Sequence, residues 1–241
     1  MGPGDPGPPA TGRAYWRQRP GWRTGQDFYA CFLTLDDQPE LRGLVRRYQD
    51  AIGHRPDLDL IPPRWLHITM QGIGFADEIS PADLGAVTER ISERLRAMRP
   101  PTTTFHRPTI RPTAVYLKAD PPEPLIGLHL ALHEAVSSAV GPGRFGEAAP
   151  GPGKFAPHVS IAYASHDGRR PARGTQDGRG PMSTTAPEPA PASVPPVTEA
   201  MRDTAVRAVT ATFGTASLLV FRRDHHAYGW TSATALPIGA Q

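Results

Sequence analysis

Two short stretches of the chain each place a histidine two residues before a hydroxyl residue: His67 before Thr69, and His158 before Ser160. Successive side chains of an extended strand point to opposite faces, so the imidazole and the hydroxyl of each stretch share a face. Two such strands would give one site two proton-transfer groups and two groups that contact an anion. That combination suits chemistry on a phosphate ester without a metal ion.

The residues around these motifs alternate in the way a half-buried strand requires. In the first strand, alternation predicts that Gln71 shares the face of His67 and Thr69. The opposite, buried face of that strand would then carry Leu66, Ile68 and Met70. In the second strand the buried face would carry Val159, Ile161 and Tyr163.

The motif pattern alone is weak, since about one His-x-Ser/Thr match is expected by chance in a chain with nine histidines. The flanking residues strengthen it. Both motifs lie in apolar strands and both follow a proline-containing approach, Pro62-Pro63 before the first and Pro157 before the second. Their positions predict one motif in each half of a duplicated domain.

Composition restricts the setting of this chemistry. The formal charge of +3 and the pI near 9.3 are mildly basic, which permits a nucleic-acid partner but does not require one. Cys31 is the only cysteine and lies in an apolar strand, so we expect a buried thiol and no disulfide. No signal peptide and no apolar run of about 18 residues is visible. These features predict a soluble cytoplasmic protein without membrane contact, and we expect a monomer.

Periodicity predicts an α+β chain. Strands are expected at Asp27–Leu35, in two short pieces within Thr102–Ala119, and at Lys154–Ala164, Ser217–Arg223 and Tyr228–Pro237. Helices are expected at Gln38–Ile52, from an N-cap at Ser80 to near Met98, at Pro124–Val140 and at Val197–Ala211. A loop at His54–Pro63 and a hairpin turn at Asp224–His226 complete the pattern.

The third helix carries His129 and His133 four residues apart, a spacing found in zinc sites. The glutamate of a His-Glu-x-x-His motif is absent, because Glu134 follows the second histidine, and no third ligand is evident. We therefore expect no metal site and no cofactor.

Three segments have biased composition. Residues 1–14 are rich in Gly and Pro and are expected to be a disordered tail. Tyr15–Arg23 mixes aromatic and basic residues, which suits an arm that stacks on bases, although packing of its Trp residues on the body is the favoured interpretation. Residues 165–196 are rich in Pro, Gly and Arg and are expected to be a flexible insertion in a single domain that spans 15–238.

Together these residues resemble the 2H phosphoesterase superfamily, in particular its 2'-5' RNA ligase-like (LigT-like) members of actinobacterial type. The resemblance is carried by the two His-x-Thr/Ser motifs, with support from Phe-Tyr-Ala in the first strand, Trp-Leu before motif one and Gln-Gly-Ile-Gly-Phe after it. Ser160 stands where such motifs more usually have Thr, and the hydroxyl is kept.

The resemblance implies a fold of two pseudo-two-fold lobes, each of antiparallel sheet and helices, around a central cleft. It implies catalysis by His67 and His158, phosphate binding by Thr69 and Ser160, and an RNA or nucleotide substrate. The expected activity is a metal-independent phosphodiesterase acting on 2',3'-cyclic phosphate ends of RNA or on 2'-5' phosphodiester bonds.

Two alternatives stay open at this point. The chain could be a catalytically idle domain that binds RNA or a nucleotide, or a phosphodiesterase of small nucleotides such as 2'-5' oligoadenylates. For the expected phosphodiesterase, Tyr29, Arg64 and Tyr163 are candidates to shape a nucleotide pocket, with a structural role or a peripheral contact favoured for each.

Overall fold

Antiparallel strands in two sheets dominate the fold. The structure is a computed structural model, and it describes residues 25–141, 155–164, 197–202, 207–223 and 228–239. The expected tail 1–14, the aromatic and basic segment 15–23, the insertion 165–196 and the turn at 224–226 lie outside the described residues.

The strands are, in chain order, β1 (Asp27–Thr34), β2 (Leu58–Leu60), β3 (His67–Phe75), β4 (Thr102–Phe105), β5 (Thr109–Arg111), β6 (Ala114–Asp120), β7 (His158–Ala164), β8 (Val209–Thr212), β9 (Thr215–Arg223) and β10 (Tyr228–Pro237). The helices are α1 (Pro39–Ile52), α2 (Pro81–Arg96), α3 (Glu123–Val140) and α4 (Val197–Arg202). A single 3-10 turn at Pro63–Trp65 precedes β3.

The two motif strands belong to different sheets. The first sheet has the order β10-β9-β1-β3, so β3 lies at its edge. The second has the order β2-β7-β6-β4-β8, with β5 also paired to β6. Strands β3 and β7 contact each other where the two sheets meet. This is an α+β arrangement of two sheet-and-helix lobes, as the sequence predicts.

The long helices cover the core faces of the sheets. Helix α1 buries its predicted stripe (Leu41, Leu44, Val45, Tyr48 and Ile52) and contacts β7. Helices α2 and α3 pack on each other, and α3 also contacts β3. Ser80 caps α2 as predicted, since its hydroxyl accepts a hydrogen bond from the Asp83 N–H. Side chains from both sheets share one apolar core with these helices.

The predicted helix at Val197–Ala211 is wrong over its second part. Helix α4 ends at Arg202 in the described range, and Val209–Thr212 form strand β8 instead. This strand pairs with β4, and the hydroxyls of Thr102 and Thr212 lie 2.8 Å apart. Pairing with a sheet edge therefore outweighs the helical spacing of the apolar residues.

Two segments contain more regular structure than predicted. The expected loop at His54–Pro63 includes β2, which pairs with β7. The region Thr102–Ala119, predicted to hold two strands, holds β4, β5 and most of β6. Strand β2 arises from pairing with a strand distant in sequence, which local alternation does not reveal, whereas β5 pairs with β6 across a short turn.

The setting of Cys31 matches expectation. Cys31 is buried, and desolvation raises the pKa of its thiol to about 12, so it behaves as a small apolar residue. No helix in the described part of the chain is both long and apolar enough to cross a membrane.

Candidate active site

The first motif lies on the face of β3 that points away from the main core. His67 pairs with Thr34 of β1, and Thr69 pairs with Phe32. The ring of Phe32 stacks on His67 with centroids 4.4 Å apart, which places both on one face. Ile68 and Met70 are buried on the core side, as alternation predicts.

A β-bulge follows this motif and overturns one prediction. The register steps from the Phe32–Thr69 pair to the Cys31–Gln71 pair, so Met70 is an extra residue in β3. Gln71 consequently lies on the core side with Cys31 and is 5% exposed, so it does not share the face of Thr69. Its amide donates a hydrogen bond to the Gly72 carbonyl at 2.8 Å.

The second motif on β7 has the predicted alternation over its first residues, since His158 and Ser160 lie on one face and Val159 is buried on the other. A β-bulge at Ile161 then shifts the register, so Tyr163 pairs with Ala114 and lies on the face of Ser160, where the sequence predicted the opposite face. On the neighbouring strand β6, Lys118 stands opposite His158 and Tyr116 stands opposite Ser160. Paired residues share a face of a sheet, so Lys118 brings an exposed ammonium group to the side of His158.

The two imidazoles are held in the same way. Nδ1 of His67 lies 2.7 Å from the Trp65 carbonyl oxygen, and Nδ1 of His158 lies 2.7 Å from the Ala156 carbonyl oxygen. A carbonyl only accepts hydrogen bonds, so Nδ1 is the donor in both rings. Nε2 is therefore the atom that carries the lone pair in the neutral ring and the second proton in the charged one.

Desolvation dominates the electrostatics of both rings. It lowers the pKa of His67 to about 4, against the raising effect of the hydrogen bond to Trp65. A charge on His158 lowers the pKa of His67 further, so the two rings lie close enough to interact. Desolvation also lowers the pKa of His158, although its side chain stays exposed and its hydrogen bond to Ala156 opposes the shift.

Aromatic rings surround His67 on the open face of the first sheet. The rings of His67 and Trp230 of β10 lie nearly perpendicular to each other, with centroids 5.9 Å apart. The ring centroids of Trp230 and Trp65 lie 4.6 Å apart. The guanidinium carbon of Arg64 lies 4.9 Å from the ring centroid of Trp65. These apolar rings explain the desolvation of His67.

Not all predicted pocket residues lie with the imidazoles. Arg64 is exposed and lies beside the rings that contact His67. Tyr29 packs against the main core on the face of β1 opposite Phe32. Tyr163 pairs with Ala114 beyond the bulge of β7 and is buried at 3% exposure. The structure therefore brings Arg64 to the site, leaves Tyr29 outside it and makes Tyr163 a buried core residue.

Several residues at the site were not predicted from sequence. Phe32, Trp230, Tyr116 and Lys118 reach it through cross-strand pairing with, or packing against, the motif strands. The signal available in the sequence was the alternation of Tyr116 and Lys118 with buried Leu117. Choosing β6 as the neighbour of β7 requires the sheet order.

The histidine pair of α3 has a structural setting. His129 is fully buried and its Nδ1 lies 2.6 Å from the Met70 carbonyl oxygen, while His133 lies one turn away. Among the described residues, no group of three or more His, Cys, Asp or Glu side chains could hold a metal ion.

The arrangement can carry out acid–base chemistry on an anion. Two imidazoles present Nε2 atoms, and the hydroxyls of Thr69 and Ser160 lie on the same faces as their motif imidazoles. One ring can accept a proton while the other donates one, and the hydroxyls can donate hydrogen bonds to phosphoryl oxygens.

Comparison with known proteins agrees with this geometry. The model of the 2'-5' RNA ligase superfamily matches residues 35–173, more than half of the chain, and this range contains both motifs. The chain belongs to the 2'-5' RNA ligase superfamily. Membership supports a phosphoesterase or ligase type of activity on phosphodiester substrates. No curated protein matches the chain.

Solved structures show that the fold is that of LigT-like 2H phosphoesterases. TT0787 of Thermus thermophilus is 18% identical with a TM-score of 0.53, and the match covers 88% of this chain and 97% of that one. E. coli LigT complexed with ATP is 15% identical with a TM-score of 0.51, and the match covers 88% and 99% of the two chains.

Proposed function

We propose that this protein is a phosphodiesterase that opens 2',3'-cyclic phosphate ends of RNA or cleaves 2'-5' phosphodiester bonds. The observation that carries the proposal is the equivalence of His67 and His158. Each follows a proline-containing approach, each shares a strand face with a hydroxyl, and each donates through Nδ1 to the carbonyl two residues earlier. Superfamily membership supports the same class of substrate.

The proposed reaction is a hydrolysis with general acid–base catalysis. Nε2 of one neutral imidazole accepts a proton from water as the water oxygen forms a bond to phosphorus. The bond from phosphorus to one ribose oxygen breaks, and Nε2–H of the other, protonated imidazole donates its proton to that oxygen. Release of ring strain in the cyclic phosphate favours this direction over ligation.

The two hydroxyls complete the proposed site. Thr69 and Ser160 donate hydrogen bonds to the non-bridging oxygens, which stabilises negative charge in the transition state. Lys118 adds positive charge beside His158. With two imidazoles for proton transfer and these donors for the phosphate, the proposed reaction proceeds without a metal ion.

The deciding experiment uses an oligoribonucleotide that ends in a 2',3'-cyclic phosphate, incubated in EDTA with the wild type, His67→Ala or His158→Ala. His54→Ala, a change on an exposed turn after α1, is the control. We expect the wild type and the control to produce a phosphomonoester and both motif variants to be inactive. Chromatography and mass analysis identify the 2'- or 3'-phosphate product. Absence of turnover by the wild type with this substrate and with a 2'-5' linked dinucleotide would refute the proposal.

A second experiment separates the roles of the two histidines. A phosphodiester with a p-nitrophenolate leaving group needs no proton from a general acid, because that group leaves as an anion. We expect this substrate to restore turnover to one of the variants His67→Ala and His158→Ala, the one that lacks the acid. Restoration of both variants, or of neither, would contradict the division into an acid and a base.

Small nucleotides are the second candidate substrates. The aromatic rings of Trp65 and Trp230 beside His67 can contact a single base, and LigT, which shares the fold, has been solved with ATP. A panel that includes 2'-5' oligoadenylates distinguishes this activity from processing of RNA ends by the ratio of kcat/KM values. Binding of these ligands without turnover would instead indicate an idle binding domain.

A further inference from the structure

Two polar side chains are buried in the core away from the proposed acid–base pair, and each contacts segments of both motifs. They are Gln49 of α1, 7% exposed, and His129 of α3, with no exposed surface. Burial of an amide or an imidazole among apolar residues is costly unless its polar atoms are hydrogen-bonded. Their hydrogen-bond partners therefore indicate what they contribute.

His129 joins the strand of the first motif to the approach of the second. Its Nδ1 donates a hydrogen bond to the Met70 carbonyl at 2.6 Å. Met70 is the bulged residue of β3, and no residue of β1 stands opposite it. The other contact is a stack on Phe155, with ring centroids 4.1 Å apart and an interplanar angle of 14°. Phe155 directly precedes Ala156, whose carbonyl holds His158.

Gln49 makes the reciprocal connection. Its amide Nε2 donates to the Ile161 carbonyl of β7 at 2.9 Å and to the Ile61 carbonyl at 2.8 Å. Ile61 opens the segment that leads through the 3-10 turn to Trp65, whose carbonyl holds His67. The Ile61 N–H also donates to the Ile161 carbonyl at 3.0 Å, so Gln49 reinforces a contact between the two motif segments.

The two connections occupy equivalent places. Met70 is the third residue after His67, and Ile161 is the third residue after His158. In each case a buried side chain from the helix packed on that strand donates to this carbonyl and also contacts the approach to the other motif. Each of the two side chains therefore links the motif strand of one lobe to the segment that precedes the motif of the other lobe.

We propose that Gln49 and His129 are a pair of positioning residues that fix the two motif strands relative to each other, and thereby the separation of the His67 and His158 imidazoles. This inference rests on the proposed function, since the separation matters for a site in which both rings act on one phosphate. A displacement of about 1 Å in such a site can lower the rate about 10²-fold.

Four variants separate the contributions. His129→Asn removes the ring but keeps an N–H donor, because the Asn amide nitrogen is as many bonds from Cα as Nδ1 of His. His129→Phe removes the donor but keeps a ring that can stack on Phe155. Gln49→Met keeps the length of the side chain and removes both hydrogen bonds. His133→Ala, one helical turn from His129, is the matched control.

Kinetics on the cyclic-phosphate oligonucleotide provide the first readout. For His129→Phe and Gln49→Met we expect kcat per folded molecule to fall by about 10- to 100-fold, with a smaller change in KM. His129→Asn should recover most of the lost kcat, and His133→Ala should resemble the wild type. Circular dichroism and urea titration give the folded fraction, so a loss of stability alone is corrected for.

NMR provides a readout that does not depend on turnover. The imidazole ¹⁵N and ¹³C resonances of His67 and His158 should shift in His129→Phe and Gln49→Met and stay in place in His133→Ala. If the wild type does not turn over the oligonucleotide, the proposed function fails and these resonances still decide the positioning role. Folded His129→Phe and Gln49→Met proteins with unchanged resonances, or with wild-type kcat, would overturn it.

Discussion

His67 and His158 each donate a hydrogen bond from Nδ1 to the carbonyl of the residue two positions earlier, both at 2.7 Å. The two strands lie in different sheets, yet they present their imidazoles with the same local geometry. A carbonyl partner fixes the tautomer of a neutral imidazole, because the bonded nitrogen must carry the hydrogen.

The first prediction concerns these tautomers. At pH 8 both neutral rings should carry the hydrogen on Nδ1, and long-range ¹H–¹⁵N correlation spectra should show this pattern for His67 and for His158. His67→Ala and His158→Ala assign the signals. Hydrogen on Nε2 of either ring would contradict the geometry and remove the proposed proton acceptor.

The second prediction is the pH dependence of kcat/KM. The reaction needs one imidazole neutral and the other protonated. Below about pH 4 His67 is also protonated, and above the lowered pKa of His158 both rings are neutral. The profile should therefore be bell-shaped with its maximum below pH 6.5, and the two apparent pKa values belong to the coupled pair. An activity that keeps rising above pH 6.5 would contradict this assignment.

The third prediction concerns the two hydroxyls. Thr69→Val and Ser160→Ala each remove one donor to the phosphate, and loss of one such donor typically lowers kcat about 10²- to 10³-fold. The control is Thr113→Val, on the exposed turn between β5 and β6. Steady-state kinetics on the cyclic-phosphate oligonucleotide measure the effect. An increase in KM with an unchanged kcat would show that these hydroxyls bind the ground state and the transition state equally.

The fourth prediction links His67 to stability. Its pKa is about 4 in the folded protein and near 6.5 when unfolded, so between these values the unfolded chain binds the extra proton. The free energy of unfolding is therefore fully retained above pH 6.5 and falls as the pH decreases toward 4.

Urea titrations across this range measure the slope in the wild type and in His67→Gln. The variant should show a shallower slope, and some slope should stay because desolvation lowers the pKa values of His129 and His158 as well. An identical slope in both proteins would contradict the lowered pKa of His67.

Much of the site follows from local alternation. The faces of His67, Thr69, His158 and Ser160 were predictable because each motif lies in a strand with apolar residues at every second position. The long helices were predictable for the same reason, since α1 and α3 bury regular stripes.

The rest depends on which strands become neighbours. The bulge at Met70 moves Gln71 to the core, and it arises from the register between β3 and β1 rather than from the sequence of β3. Strand β8 forms because β4 offers it an edge. Phe32 and Trp230 reach His67 from β1 and β10, which local patterns do not bring together.

The last prediction tests Lys118, which the sheet order places beside His158. An exposed ammonium group attracts a phosphodiester anion, and salt screens such attraction. Lys118→Met should therefore lower kcat/KM at low salt and make it less sensitive to added salt. Arg99→Met, on the loop that follows α2, changes the net charge equally and should leave the salt dependence close to that of the wild type. Equal effects of the two substitutions would show that net charge, rather than the position of Lys118 opposite His158, attracts the substrate.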